Sequence, residues 1–187
     1  KLLKILLSNE LAQAQRIESY PREAGVGVLR LPASSAQQRL WFIEQLEGAG
    51  ATYNIPFVVR LLGLLDELAL RRALQAIVRR HETLRTVFVN VEGDVAQEVN
   101  AQGRFELEVV DLGGYAALEQ ERLVSLHKAE EAHRLFDLKA GPLIRGRLLR
   151  LSADGHVLLM TMHQIVSDGW PMKVLMRELV ELYGARR

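Results

Sequence analysis

Apolar and polar positions change their spacing several times along this chain, and each change predicts an element. Ile55, Phe57, Val59 and Leu61 recur at every second position in "YNIPFVVRLLG", as in a strand with one buried face. Behind Asp66, a cap, the spacing widens to three and four: Leu68, Leu70, Leu74, Ile77 and Val78 mark an amphipathic helix. Upstream, "SSAQQRLWFIEQL" carries Leu40, Ile43 and Leu46 at helical spacing, with Ser34 or Ser35 as N-cap. Three strands follow, "LRTVFVNV", "DVAQEVN" and "RFELEVVDL", then a longer helix in "YAALEQERLVSLHKAEEAHRL", rich in good helix formers. After the irregular "FDLKAGPL", the runs "LIRGRLLRLS" and "GHVLLMTMH" predict a hairpin around "ADG", and "MKVLMRELVELYG" a final amphipathic helix closed by Gly184. The order is mixed α+β: a largely antiparallel sheet with flanking helices. Residues 1–27 are polar and broken by Pro21, Gly25 and Gly27 after a short apolar start, and are expected to be a linker or the end of an upstream element.

Composition narrows the function classes. Twenty-four basic residues stand against 23 acidic ones, net +1, so neither nucleic acid nor an anionic membrane surface is an expected partner. The absence of cysteine excludes disulfides, thiolate zinc sites and a cysteine nucleophile. The first residues hold an apolar run too short for a membrane span and no cleavage site, which suggests a cytoplasmic protein. "HETLR" begins like a zinc-protease helix, but Arg85 stands where the second histidine should be, and no metal is expected. His127 and His133, six apart, do not share a helical face and read as surface histidines.

One stretch places polar residues where chemistry is favoured. "TMHQIVSDGW" (161–170) is the end of an apolar strand, then a turn with His163, Gln164, Asp168 and Gly169. In an extended segment adjacent side chains point to opposite faces, so His163 and Gln164 cannot both look into one cleft. His163 is expected to point into the fold as a structural histidine and Gln164 to face the cleft. Asp168 reads as a structural anion or a helix cap, and Gly169 as a position where a side chain would obstruct the backbone.

Four segments together resemble the ordered motifs of condensation domains from nonribosomal peptide synthetases: "SSAQQRLWFI" (34–43), "RHETLRTVF" (80–88), "FDLKAGPLIR" (136–145) and "MHQIVSDGW" (162–170). The resemblance covers roughly residues 28 to 187 and departs from the family's fourth motif at Gln164, where a histidine is usual, and at Pro171. It implies one lobe of a two-lobed fold similar to chloramphenicol acetyltransferase, residues 28–187 being the amino-terminal lobe without the second. It also implies amide formation between aminoacyl or peptidyl thioesters on upstream and downstream peptidyl carrier proteins. Phosphopantetheine would be supplied on those carriers, and the chain itself would bind no cofactor. Since a thioester is already activated, the domain mainly has to juxtapose two tethered reactants, worth up to about 7–11 kcal/mol in ideal cases.

By the same resemblance Gln164 occupies the position of the histidine that serves the attacking amine, His163 is its motif neighbour, and Arg80 or Arg85 partners Asp168. Arg39 and Trp41 would be packing and scaffolding. Glutamine has one carbonyl acceptor, two N–H donors and no useful basicity, so the chemistry is expected to be impaired. Two alternatives stand beside this: a non-catalytic domain that docks carriers or recruits a partner, and an epimerisation-type relative. An isolated lobe would expose apolar surface, so self-association is expected.

Overall fold

The computed structural model describes residues 28–48, 50–167 and 172–185. Two sheets organise them. The smaller has the order β1 (Val28–Pro32), β4 (Asp94–Asn100), β3 (Thr86–Val91), all antiparallel. β3 turns into β4 through Glu92 and Gly93, both at positive φ, as a two-residue hairpin requires. The larger has the order β2 (Asn54–Leu62), β7 (Gly155–His163), β6 (Ile144–Arg150), β5 (Leu107–Asp111). The β6–β7 hairpin and the β2–β7 pairing are antiparallel, whereas β5 and β6 run parallel. The connection between those two is a helical crossover, as a parallel pair demands. The mixed α+β class, largely antiparallel with flanking helices, thus describes the molecule.

Helices cover both faces of the larger sheet. Alternate residues of β7 (Leu158, Met160, Met162) face α2 (Glu67–Arg80) and α4 (Met172–Gly184), where Leu74, Ile77, Leu175 and Leu179 complete the main core. The intervening residues Val157 and Leu159 face α3 (Ala117–His133), which contributes Val124. β7 is central and sandwiched, and for that reason every residue from His156 to His163 is buried. Asp66 caps α2 by accepting from the Ala69 N–H at 2.9 Å.

Several expectations for side-chain facing are corrected. On α2 the buried set is Ala69, Leu70, Ala73, Leu74, Ile77 and Val78, while Leu68 lies exposed one position off that face. On α1 (Ser35–Glu47), Leu46 and Phe42 are exposed, because the helix turns a different stripe inward. His127 is no free surface histidine: it is half-buried, and Arg147 Nη1 lies 2.9 Å from its Nδ1. His133 is exposed. The expected elements in residues 1–27 lie outside the described residues.

Candidate functional site

The site is built where β7 ends. His163 is the last residue of the strand, and the chain then tightens into a 3₁₀ turn over Gln164–Val166. Ile165 and Val166 plunge into a second core with Ala33, Phe88, Phe136, Leu138 and Leu143, against which Leu40 and Trp41 pack. That core therefore takes side chains from all four conspicuous segments. Leu40 and Trp41 come from the first, Phe88 from the second, Phe136, Leu138 and Leu143 from the third, and Ile165 and Val166 from the fourth. Segments more than a hundred residues apart are the buried side of one turn.

The N–H and the carbonyl of Gln164 and of Ile165 are all held. Its N–H donates to the Tyr53 carbonyl at 2.8 Å, and its carbonyl accepts from Ser167 N at 3.0 Å and Ser167 Oγ at 3.1 Å. The Ile165 N–H donates to His163 Nδ1 at 3.1 Å, and the Ile165 carbonyl accepts from Gln37 Nε2 at 3.3 Å. Gln164 alone in the turn leaves its side chain exposed, while Ile165 and Val166 are buried.

His163 is 0% exposed, walled by Tyr53 with ring centroids 6.2 Å apart and by the edge of Phe136 at 6.0 Å. Burial holds its pKa down at about 4. The geometry demands the same neutral ring. A nitrogen that accepts from an amide N–H carries no proton, so the ring's single proton sits on Nε2, which faces Glu44 Oε2 at 3.7 Å. Phe136 is kept in place by Arg145, whose guanidinium lies 3.8 Å above its ring. Arg145 in turn bonds the Glu131 carboxylate and the carbonyls of Glu131 and Arg134 at the end of α3.

The remaining sequence candidates are distributed as follows. Arg85 donates to the Asn100 carbonyl and to Glu82 at 3.2 Å, and Arg80 approaches Glu178 of α4 at 3.5 Å. Both arginines thus tie the second segment to its surroundings. Asp168, Gly169, Trp170 and Pro171 lie outside the described residues. Trp41 packs beneath the turn, whereas Arg39 is exposed and has no ion pair among the described residues. Gln37, Glu44, Tyr53 and Phe136 were not legible as site residues. A signal existed for two of them, since Gln37 and Glu44 are seven apart and share a helical face with Leu40 and Trp41.

Elsewhere, a groove of about 620 Å³ between β5, β6 and the 134–142 segment does not include Gln164. Three of its four arginines, Arg71, Arg104 and Arg145, are each paired with a carboxylate. No group of metal-ligating side chains occurs among the described residues, and no helix there is long and apolar enough to cross a membrane.

A sheet of this order, with a histidine-bearing turn at the end of its central strand and four separated segments packed behind it, defines the chloramphenicol acetyltransferase-like class. The family model for the condensation domain matches residues 30–187, and the chain belongs to that family. It is 44% identical over 155 residues to malpinin synthetase of Mortierella alpina, covering 83% of this chain and 2% of that protein. It is 46% identical over 156 residues to chondramide synthase cmdD of Chondromyces crocatus, covering 83% of this chain and 4% of that protein. Among solved structures, the starter condensation domain of rhizomide synthetase RzmA superposes with a TM-score of 0.77 at 21% identity, over 84% of this chain and 39% of that one. That likeness shows the fold. The X-domain from teicoplanin biosynthesis, solved in complex with OxyB, is similar with a TM-score of 0.75 and 31% identity, over 91% of this chain and 35% of that one. The chain therefore spans only a small part of the synthetases and under two fifths of the solved chains it resembles.

Proposed function

We propose that residues 28–187 are the amino-terminal lobe of a condensation domain, and that Gln164 stands where the upstream and downstream carrier-bound thioesters meet. One observation carries this reading: in a turn where the backbone groups of Gln164 and Ile165 are bonded, residue 164 is the exposed side chain, directly after the buried histidine. Substrates would arrive on phosphopantetheine arms of peptidyl carriers, and a second lobe would close the cleft over the turn. The reaction joins the downstream amine to the upstream acyl carbon, breaks the thioester, and releases the upstream carrier thiol. A glutamine amide can hydrogen-bond the attacking amine but cannot take its proton, so the chain is a slow catalyst. His163 cannot substitute, because its one free lone pair is already engaged by the Ile165 N–H.

Gln164→His tests this, in the longer protein with loaded carriers. Amide formation is expected to rise by about 10²–10⁴. Unchanged rates with carrier binding intact count against a catalytic role. That result would favour a second reading, a non-catalytic domain that recruits a partner enzyme. The 31% identity to an X-domain solved in complex with OxyB supports that alternative. Pull-down of a partner independent of residue 164 would be its positive sign.

A further inference from the structure

The first helix, α1, lies along the turn with an inner stripe that is polar at both ends and apolar between. Gln37 and Glu44 are two helical turns apart, with Leu40 and Trp41 between them packing on the core that holds Ile165 and Val166. Gln37 Nε2 reaches the Ile165 carbonyl at 3.3 Å and Gln97 Oε1 at 3.2 Å, while its Oε1 accepts from the Ser34 N–H at 2.9 Å. Glu44, only 5% exposed, sets a carboxylate oxygen 3.7 Å from His163 Nε2. No acceptor among the described residues lies within hydrogen-bonding distance of that nitrogen, and among those residues Glu44 is the carboxylate that faces it.

We propose that Gln37 and Glu44 are positioning residues for position 164: Gln37 grips the Ile165 carbonyl, and Glu44 fixes the His163 ring so that Nδ1 grips the Ile165 N–H. With the two peptide groups that flank Ile165 both held, one by Gln37 directly and the other through the His163 ring, the preceding residue has a single direction in which to project. Neither side chain touches the reactants. This assignment rests on the proposed function for its purpose, but its physical content is separable from it.

The physical content follows from protonation geometry. A ring proton on Nδ1 would confront the Ile165 N–H directly, and an imidazolium would do the same. A carboxylate beside Nε2 favours the proton at that nitrogen and so leaves the Nδ1 lone pair for the amide. The substitution Glu44→Gln keeps a carbonyl acceptor at this place, whereas Glu44→Leu, of similar size, removes every acceptor.

The test uses the chain itself, with nitrogen-15 spectra of the His163 ring and amide hydrogen exchange. The unsubstituted protein is expected to show His163 as the neutral Nε2–H tautomer, and an Nδ1–H tautomer or an imidazolium at neutral pH overturns the proposal without any variant. Glu44→Leu and Gln37→Met are each expected to speed Ile165 amide exchange tenfold or more while Leu158 to Met160 in β7 keep their protection. Glu44→Gln is expected to preserve the pattern. Unchanged Ile165 exchange in both disruptive variants, or equal loosening throughout β7, overturns it. In the longer protein carrying Gln164→His, Glu44→Leu should lower kcat tenfold or more with KM unchanged, and Glu44→Gln should restore it. Restored amide formation indifferent to both α1 positions overturns the positioning role. If Gln164→His forms no amide at all, the proposed function fails, and the tautomer and exchange results alone decide the role of α1.

Discussion

At the scale of single residues, the two neighbours at the end of β7 illustrate how one peptide step separates a structural role from an exposed one. His163 is sealed in, and its neutral form is the only one its surroundings accept. Because its pKa falls from the ordinary 6.5 to about 4, the unfolded chain takes up a proton at this residue well before the folded one does. Its contribution to stability is complete above about pH 6.5 and drains away as the pH drops toward 4, by roughly 1 kcal/mol per pH unit. Urea titrations at about pH 7.5 and about pH 5 should show this loss, and His163→Asn, whose Oδ1 stands near the place of Nδ1, should show a smaller one. Equal pH sensitivity in the two proteins would refute the assignment. Strand alternation indicated that residues 163 and 164 would face apart, but not which would be buried, and Gln164 in fact opens the 3₁₀ turn. The part played by Glu44 was not, because hydrophobic periodicity on α1 points to Leu40, Ile43 and Leu46, and a carboxylate on the far stripe reads as solvent-facing until a buried ring nitrogen is found opposite it.

At the scale of elements, most strands and helices were visible as changes of period, since spacings of two and of three to four arise from local geometry. The parallel pairing of β5 with β6 was not, because it is decided across α3 and an irregular connection, with no turn chemistry to announce it. That connection is held by Arg145, which grips the carbonyl end of α3 and stacks on Phe136. Asn54 does the same from β2, donating to the carbonyls of Ala132 at 2.7 Å and Arg134 at 3.0 Å. Arg145→Met should therefore destabilise by about 3–5 kcal/mol, since the Glu131 carboxylate, 3% exposed, loses its close cation. The same variant should raise amide exchange in residues 134–138 before other regions. A change under about 1 kcal/mol in urea titration would show that Arg147, 3.9 Å from Glu131, suffices as its partner.

At the scale of the whole molecule, the two sheets among the described residues end in β1, β3, β2 and β5, and β2 is the edge strand with the most exposed apolar side chains. β2 pairs only with β7 among the described residues, and its outer positions Val58 and Leu62 are exposed, Leu62 at 88%. A bare edge with apolar side chains is a template for pairing with another chain. The chain should associate as its concentration rises, and Val58→Lys with Leu62→Lys should reduce the apparent mass in light scattering; a mass that does not change with concentration would contradict this. The end of β7 behaves in the opposite way. The backbone groups of Gln164 and Ile165 are bonded within the molecule and Ile165 and Val166 are buried, so exchanging the exposed Gln164 for histidine should shift stability by no more than about 0.5 kcal/mol. Under the proposed function, selection on folding and selection on reactivity therefore operate on different codons, and a lineage passes between glutamine and histidine at 164 in one mutational step without an unfolded intermediate.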